Sequence, residues 1–253
     1  MCAELLKIGS FTLYGYGFMI AIGCICALLV ARYRAKQKNL DSDFILDLFC
    51  YCAIFGFVGA KLLYCLVSFD EFIKNPIQFL GSSGFVVYGG IILGFLGGFI
   101  ACKIKKKEFF DYFDLVMPSV SIAQGFGRIG CFLAGCCYGK ETNSWFGVIF
   151  PENSIAPSNV SLIPTQLLSS IGNFIIAGIL IYYARKKRKP GNVGLLYLLL
   201  YCIGRFFIEF LRSDYRGEIW VFTTSQFISL CIFVLLFFIF VIKFKKNNKK
   251  EIC

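Results

Sequence analysis

Residues 12–31 read TLYGYGFMIAIGCICALLVA, and residues 32–38 read RYRAKQK. Twenty helical residues rise about 30 Å, the thickness of a bilayer's hydrocarbon core. The first stretch carries no charge and no alternation of polar and apolar positions. It therefore reads as a membrane-crossing helix rather than a strand. The second stretch sets its direction. A cleaved signal peptide carries its positive charge before a short apolar core. Here Arg32, Arg34, Lys36 and Lys38 follow a long one. That order predicts a retained span with its N-terminus outside and its basic end in the cytoplasm.

Outward from this stretch the pattern repeats. Six further apolar blocks lie at roughly 43–67, 82–102, 113–134, 165–184, 193–212 and 221–242. Lys103, Lys105, Lys106 and Lys107 follow the third span. Arg185, Lys186, Lys187, Arg188 and Lys189 follow the fifth, and Lys243, Lys245, Lys246, Lys249 and Lys250 follow the seventh. With the first cluster they make 18 of the 26 basic residues, all on one side. The opposite loops are nearly balanced, with Asp70, Glu71 and Lys74, then Lys140, Glu141 and Glu152, then Asp214, Arg216 and Glu218. The positive-inside rule then predicts an all-α membrane protein of about seven transmembrane helices, with the N-terminus outside and the C-terminus cytoplasmic.

Composition agrees. Apolar residues make up 58% of the 253-residue chain, and the mean hydropathy is +0.72, well above soluble proteins. No repeat or long linker divides the chain, so residues 1–253 read as a single polytopic membrane domain. The longest connection, 135–164, holds Gly, Pro, Asn and Ser and reads as a loop.

The net charge of +11 would suit nucleic acid. The basic clusters sit at span ends, however, where topology and anionic headgroups account for them, and no nucleic-acid partner is expected. Most of the thirteen cysteines, among them Cys24, Cys26, Cys50, Cys52, Cys65, Cys202 and Cys231, lie inside apolar blocks and act as small hydrophobes. No signal precedes Cys2, so it does not read as a lipoprotein cysteine. With no CxxC pair and no histidine, neither a metal centre nor another cofactor is expected.

Charge inside an apolar segment costs about 2.5–3.5 kcal/mol or more at a helix centre and so marks function. Arg128 lies in Gly-Arg-Ile-Gly, Gly127 to Gly130, a turn or two from the outer end of the fourth span. Flanking glycines admit a ligand or another backbone, and a guanidinium offers a flat fork of donors to phosphate. An arginine snorkelling beside a helix-packing patch fits the same residues. Arg205 and Glu209, four apart, share one face of the sixth span and can pair; Arg212 lies a turn further on. Three arginines on the outward halves of two spans can ring an anionic headgroup. The third span holds Tyr88, Gly89, Gly90, Gly94, Gly97 and Gly98. Gly90 and Gly94 read as helix packing, while Tyr88 and Gly89 sit near the outer end, where they can face a cavity. Tyr14, Gly15, Tyr16 and Gly17 make a similar patch on the first span.

These motifs together resemble the prolipoprotein diacylglyceryl transferase family. The resemblance covers nearly the whole chain. It rests on Tyr16-Gly17-Phe18-Met19, Tyr88-Gly89-Gly90, the run from Gly127 to Gly139, Pro164-Thr165-Gln166-Leu167, and the run from Gly204 to Phe210. It implies transfer of a diacylglyceryl group from phosphatidylglycerol, or a similar anionic phospholipid, to the lipobox cysteine thiol of a prolipoprotein in the bacterial cytoplasmic membrane. Glycerol phosphate leaves. It also implies that Tyr16, Arg128, Gly139, Arg205 and Glu209 occupy functional positions. Arg128 and Arg205 would hold phosphate, Glu209 would orient Arg205, and Tyr16 and Tyr88 would contact lipid or the reacting thiol. Arg212, Gly89, Cys131 and Cys136 complete the expected substrate-binding set.

The chain also departs from the family pattern. The usual signature reads Gly-Arg-x-Gly-Asn-Phe-x-Asn-x-Glu. Here Cys131 and Ala134 replace the two Asn, and Cys136 replaces the Glu. Tyr88 and Ile163 stand where the family has His, so no histidine base operates within the chain. Two readings stay open. One is a divergent enzyme in which Tyr88, Cys131, Cys136 or Cys137 takes over a task, as nucleophile or redox pair. The other is a non-catalytic lipid-binding or membrane-assembly relative. A transporter would want broken helices or an internal repeat, and neither shows.

Overall fold

The computed structural model describes residues 4–8, 11–82, 84–152, 154–213, 218–219 and 222–250. Cys2, Asp214 and Arg216, considered above, lie outside them. Along the chain come β1 (Glu4–Ile8), β2 (Phe11–Tyr14), α1 (Gly15–Gln37), α2 (Phe44–Val67), α3 (Phe69–Lys74), α4 (Pro76–Gly81), α5 (Val87–Ile104) and α6 (Phe109–Ala134). Then follow β3 (Val148–Ile149), β4 (Ser161–Leu162), α7 (Thr165–Tyr183), α8 (Asn192–Glu209), β5 (Glu218–Ile219), β6 (Phe222–Thr223) and α9 (Thr224–Lys250). The strands form three separate antiparallel pairs, β1–β2, β3–β4 and β5–β6.

The protein is mostly helical. Among the described residues, α1, α2, α5, α7 and α8 are long and apolar enough to cross a membrane. Helix α6 has 26 residues but carries Asp111, Asp114, Gln124 and Arg128 and does not join that group. The apolar part of α9, Thr224–Ile239, is shorter. Large apolar side chains on these helices stand bare, such as Ile54 at 62% and Phe207 at 65% exposed. Bare apolar faces on long helices are what a lipid solvent requires and water would penalise.

The chain divides into two compact units, residues 28–115 and residues 1–27 with 116–253. In the 28–115 unit the core is the contact between α2 and α5, made by glycines. A Cβ on Gly59 would lie 2.4 Å from the Gly89 carbonyl oxygen, and one on Gly97 would lie 2.7 Å from Phe55 Cβ. The two backbones therefore touch, the arrangement by which small residues replace the missing hydrophobic drive inside lipid. At one end of this unit Lys107 Nζ lies 2.9 Å from Asp41 Oδ2. The backbone N–H groups of Asp43 and Phe44 donate to Asp41 Oδ1. Lys107 first, then the Phe44 N–H, holds the Asp41 carboxyl below its usual range.

In the other unit α6, α7 and α8 are joined by polar contacts. Ser121 Oγ donates to Asn173 O at 2.7 Å, and Ser170 Oγ donates to Gly125 O at 2.9 Å. Tyr197 OH donates to Gln124 Oε1 at 2.9 Å. Inside lipid such bonds fix register. They place the ends of α6 and α8 that carry Arg128 and Arg205.

Candidate functional site

Helix α8 ends in an ion-pair centre. Arg205 Nη2 lies 3.0 Å from Glu209 Oε2, and Arg212 Nε lies 3.9 Å from the same oxygen. The Glu209 side chain is only 2% exposed. Two neighbours from β6 and α9 complete it. Thr223 Oγ1 donates to Glu209 Oε1 at 3.2 Å, and Arg205 Nη2 donates to Ser225 Oγ at 2.9 Å. Arg205 and Glu209 thus pair as their spacing predicts, and Arg212 joins them. The sequence reading missed Thr223 and Ser225. Their signal is the polar run Thr223-Thr224-Ser225-Gln226 opening an otherwise apolar block.

This centre is cationic. The largest charges acting on Arg205 are one negative, Glu209, and two positive, Arg212 and Arg128. Arg205 Nη1 is buried with no hydrogen-bond acceptor among the described residues. Each of Arg128 and Arg205 follows a glycine, Gly127 and Gly204, and a Cβ at either glycine would meet nothing within 4 Å. Gly204 shares the exposed face of α8 with Ile203 and Phe207, so its gap opens outward, whereas Gly127 is half-buried. A buried donor without an acceptor is costly unless a ligand supplies one.

Gly139 fixes the strand-like connection between the loop and Arg212. It bridges Arg212 in antiparallel fashion, and its N–H donates to Ile163 O at 3.0 Å. A Cβ there would lie 2.6 Å from Ile163 O and 2.8 Å from Leu211 O. Only glycine fits between two carbonyls at that distance.

On α1, Tyr16 packs against α6. A Cβ on Gly130 would lie 3.1 Å from Tyr16 Cδ2. The Tyr16 phenol lies within electrostatic reach of Arg128 and of the Cys131, Cys136 and Cys137 side chains. The Sγ atoms of those three cysteines all lie within 4.8 Å of one another, and the three residues are half-buried and not disulfide-bonded. Hydrogen bonding with Cys131 and Cys137, then burial, pushes the Cys136 thiol well above its ordinary value. The turn that carries them is held from beneath. Cys137 adopts a φ of +63°. Thr165 Oγ1 donates to Cys137 O at 2.7 Å and Gln166 Nε2 donates to Cys136 O at 2.8 Å. Gln166 is 0% and Thr165 1% exposed. The Pro164-Thr165-Gln166-Leu167 motif therefore acts as a support for the cysteine turn.

Tyr16, Arg128, Cys131, Cys136, Gly139, Arg205, Glu209 and Arg212 all belong to the unit of residues 1–27 and 116–253. Tyr88 and Gly89 belong to the other. Tyr88 is 40% exposed. Gly89 is buried against α2, where a Cβ would lie 2.2 Å from Gly59 O. The sequence reading also passed over Lys61, whose Nζ donates to Ser82 O at 2.8 Å and sits 5.2 Å from the Tyr64 ring centre.

Comparison with known proteins adds the family. The sequence model described as "Prolipoprotein diacylglyceryl transferase" matches residues 3–242. A protein of Clostridium tetani called phosphatidylglycerol–prolipoprotein diacylglyceryl transferase is 45% identical over 246 residues, 96% of this chain and 98% of its own length. One of two so named in Clostridium perfringens is 43% identical over 231 residues, 90% of each chain. A Clostridium botulinum relative of the same name is 35% identical over 249 residues, 95% of this chain and 97% of its own. A match over this much of the chain, at these identities, shows that the chain belongs to the prolipoprotein diacylglyceryl transferase family.

Proposed function

We infer that this chain transfers a diacylglyceryl group from phosphatidylglycerol to the cysteine thiol of a prolipoprotein, and is thus a transferase of lipoprotein biosynthesis. The observation that carries this reading is the buried Arg205 Nη1, which lacks an acceptor among the described residues in a cationic centre. A phosphate oxygen is the acceptor such a donor wants.

The chemistry follows from the charges. The thiolate attacks the glyceryl carbon bonded to the phosphate ester oxygen. The carbon–oxygen bond breaks, and negative charge grows on the departing glycerol phosphate. Arg128 and Arg205 hold that phosphate and stabilise the charge, and Arg212 strengthens the field. Glu209 keeps the Arg205 guanidinium oriented through the 3.0 Å pair. Tyr16 reaches the reacting thiol beside Cys131 and Cys136, and Gly139 supplies backbone close to the headgroup. Tyr88 takes its assignment, contact with lipid or thiol, from the family motif alone, whereas Gly89, expected in the substrate-binding set, packs against α2.

The chain is read as one multi-pass domain in a bacterial cytoplasmic membrane, with seven spans, the N-terminus outside and the C-terminus inside. Support comes from the basic loops and from the polar character of α6, whose interior residues bond to α7 and α8. A polar helix is tolerable within a bundle where apolar neighbours shield it.

The test is transfer from phosphatidylglycerol to a lipobox peptide by purified protein. Transfer that Arg128→Ala abolishes supports the reading. Unchanged activity in Arg128→Ala removes the phosphate role. If a typical family member transfers and this protein does not, the non-catalytic reading stands, which the replacements at Cys131, Ala134, Cys136, Tyr88 and Ile163 would then explain.

A further inference from the structure

The three thiols of Cys131, Cys136 and Cys137 have no task in the phosphate chemistry above. We propose that they bind one soft cation, zinc being the natural case, with a fourth position left open for the acceptor thiol. The inference rests on the transferase reading and deepens it.

The geometry is close to what such an ion needs. Tetrahedral zinc with sulfur at about 2.3 Å sets its sulfurs roughly 3.8 Å apart. All three Sγ atoms here lie within 4.8 Å of one another. Small side-chain rotations would close the difference. The backbone need not move, since Thr165 and Gln166 hold the carbonyls of Cys137 and Cys136 from a fully buried position. Sequence spacing gave no reason to expect a zinc centre, for want of CxxC and His. The left-handed turn at Cys137 brings adjacent cysteines and Cys131, a helical turn upstream, to one point. Three thiolates on a divalent ion leave one net negative charge, which suits a place where the Arg128 charge is felt.

Three protein ligands with an open fourth position make a catalytic rather than a closed structural site. The reaction supplies a ligand of the matching kind, because its acceptor is itself a thiol. A thiol that coordinates such a metal loses its proton. The chain contains no histidine to remove it. Coordination would therefore release the acceptor's proton to water and leave a metal-bound thiolate beside Arg128. The sulfur's electron pair forms the new bond to the glyceryl carbon. The pair of the breaking carbon–oxygen bond leaves with glycerol phosphate. The thioether product is uncharged and a poorer ligand, so it departs, and the metal keeps its oxidation state throughout.

Purified full-length protein, freed of reductant under nitrogen, is titrated with Cd2+ and with Zn2+. Bound metal is counted after desalting, and sulfur-to-cadmium absorption is followed in the ultraviolet. One metal per chain is expected. Each of Cys131→Ser, Cys136→Ser and Cys137→Ser should weaken binding about tenfold or more, and the triple variant should abolish it. Cys202→Ser, buried elsewhere in α8, should change nothing. Adding a lipobox peptide should raise the sulfur coordination of cadmium from three to four, and a Cys→Ser peptide should not. Absence of stoichiometric binding, binding retained in the triple variant, or unchanged coordination with the thiol peptide would each overturn the proposal.

A transfer assay separates this outcome from the parent reading. Full transfer by protein treated with a chelator leaves the transferase standing and removes the metal. Metal and peptide binding without transfer does the reverse.

Discussion

Glycine builds both the α2–α5 contact and the arginine centre, to opposite ends. At Gly59, Gly89 and Gly97 the volume a side chain would take is filled by the neighbouring helix, within 2.2–2.7 Å of the missing Cβ. At Gly127 and Gly204 that volume is empty. The first set trades side chains for backbone contact and stabilises the helix pair. The second gives up helix propensity with no packing in return, and each member precedes an arginine. Residue type alone does not separate packing from function, and an empty gap counts only beside a buried charge: Gly172 and Gly178 are equally open with no arginine after them.

Substitutions can break or sharpen this contrast. The largest effect is expected at Arg205→Ala, which removes the buried donor. By analogy with loss of one oxyanion donor, kcat should fall at least a hundredfold, about 2.7–4 kcal/mol. A transfer assay with phosphatidylglycerol checks it, and near-normal kcat would empty the comparison of meaning. Next comes Gly59→Ala. Its Cβ would strike backbone at 2.4 Å, so about 1–3 kcal/mol of stability should go. Tm in detergent should drop while kcat of the folded protein stays. A kcat defect without a lower Tm would make this contact functional instead.

Gly127→Ala should do the reverse. An alanine in open helical space gains up to about 1 kcal/mol over glycine. Tm should hold or rise, yet KM for phosphatidylglycerol should increase because the methyl enters the headgroup's room. The smallest effect is a pH dependence at the edge of the α2–α5 unit. The Asp41 carboxyl is held below its unfolded value by Lys107 and backbone N–H groups. Its contribution is therefore complete above an unfolded pKa of about 3.9 and is lost as pH falls through the lower folded value. Asp41→Asn should lower Tm slightly at neutral pH and converge on the unsubstituted protein below the folded value, which flattens the acid limb of a Tm-against-pH curve. A curve identical to the unsubstituted protein's would remove Asp41 from the account.

Much of this was legible in the chain. Apolar block length and basic clusters showed a helical membrane protein, because lipid admits few alternatives for a buried backbone. The four-residue spacing of Arg205 and Glu209 showed their pairing, because helix geometry is local. Other features needed the fold. Nothing in Thr223 or Ser225 announces that they bond Glu209 and Arg205, since those partners lie 14 and 20 residues away. The thiol cluster was hidden for a different reason. Spacing rules assume a ligand loop of familiar length, whereas Cys136-Cys137 converges on Cys131 through a positive φ. Gly89 shows the limit from the other side. Its place in the motif suggested a cavity, and the structure sets it against Gly59 O.

The empty volume at half-buried Gly127 also bears on how an inhibitor would fare. Escape from a phosphonate that fills it would be cheap in folding terms, because alanine there clashes with nothing and favours the helix. Resistance should therefore arise at Gly127 before Arg128. A compound that leaves that space unoccupied and anchors near Gly139, where backbone blocks any side chain, would deny the population that route.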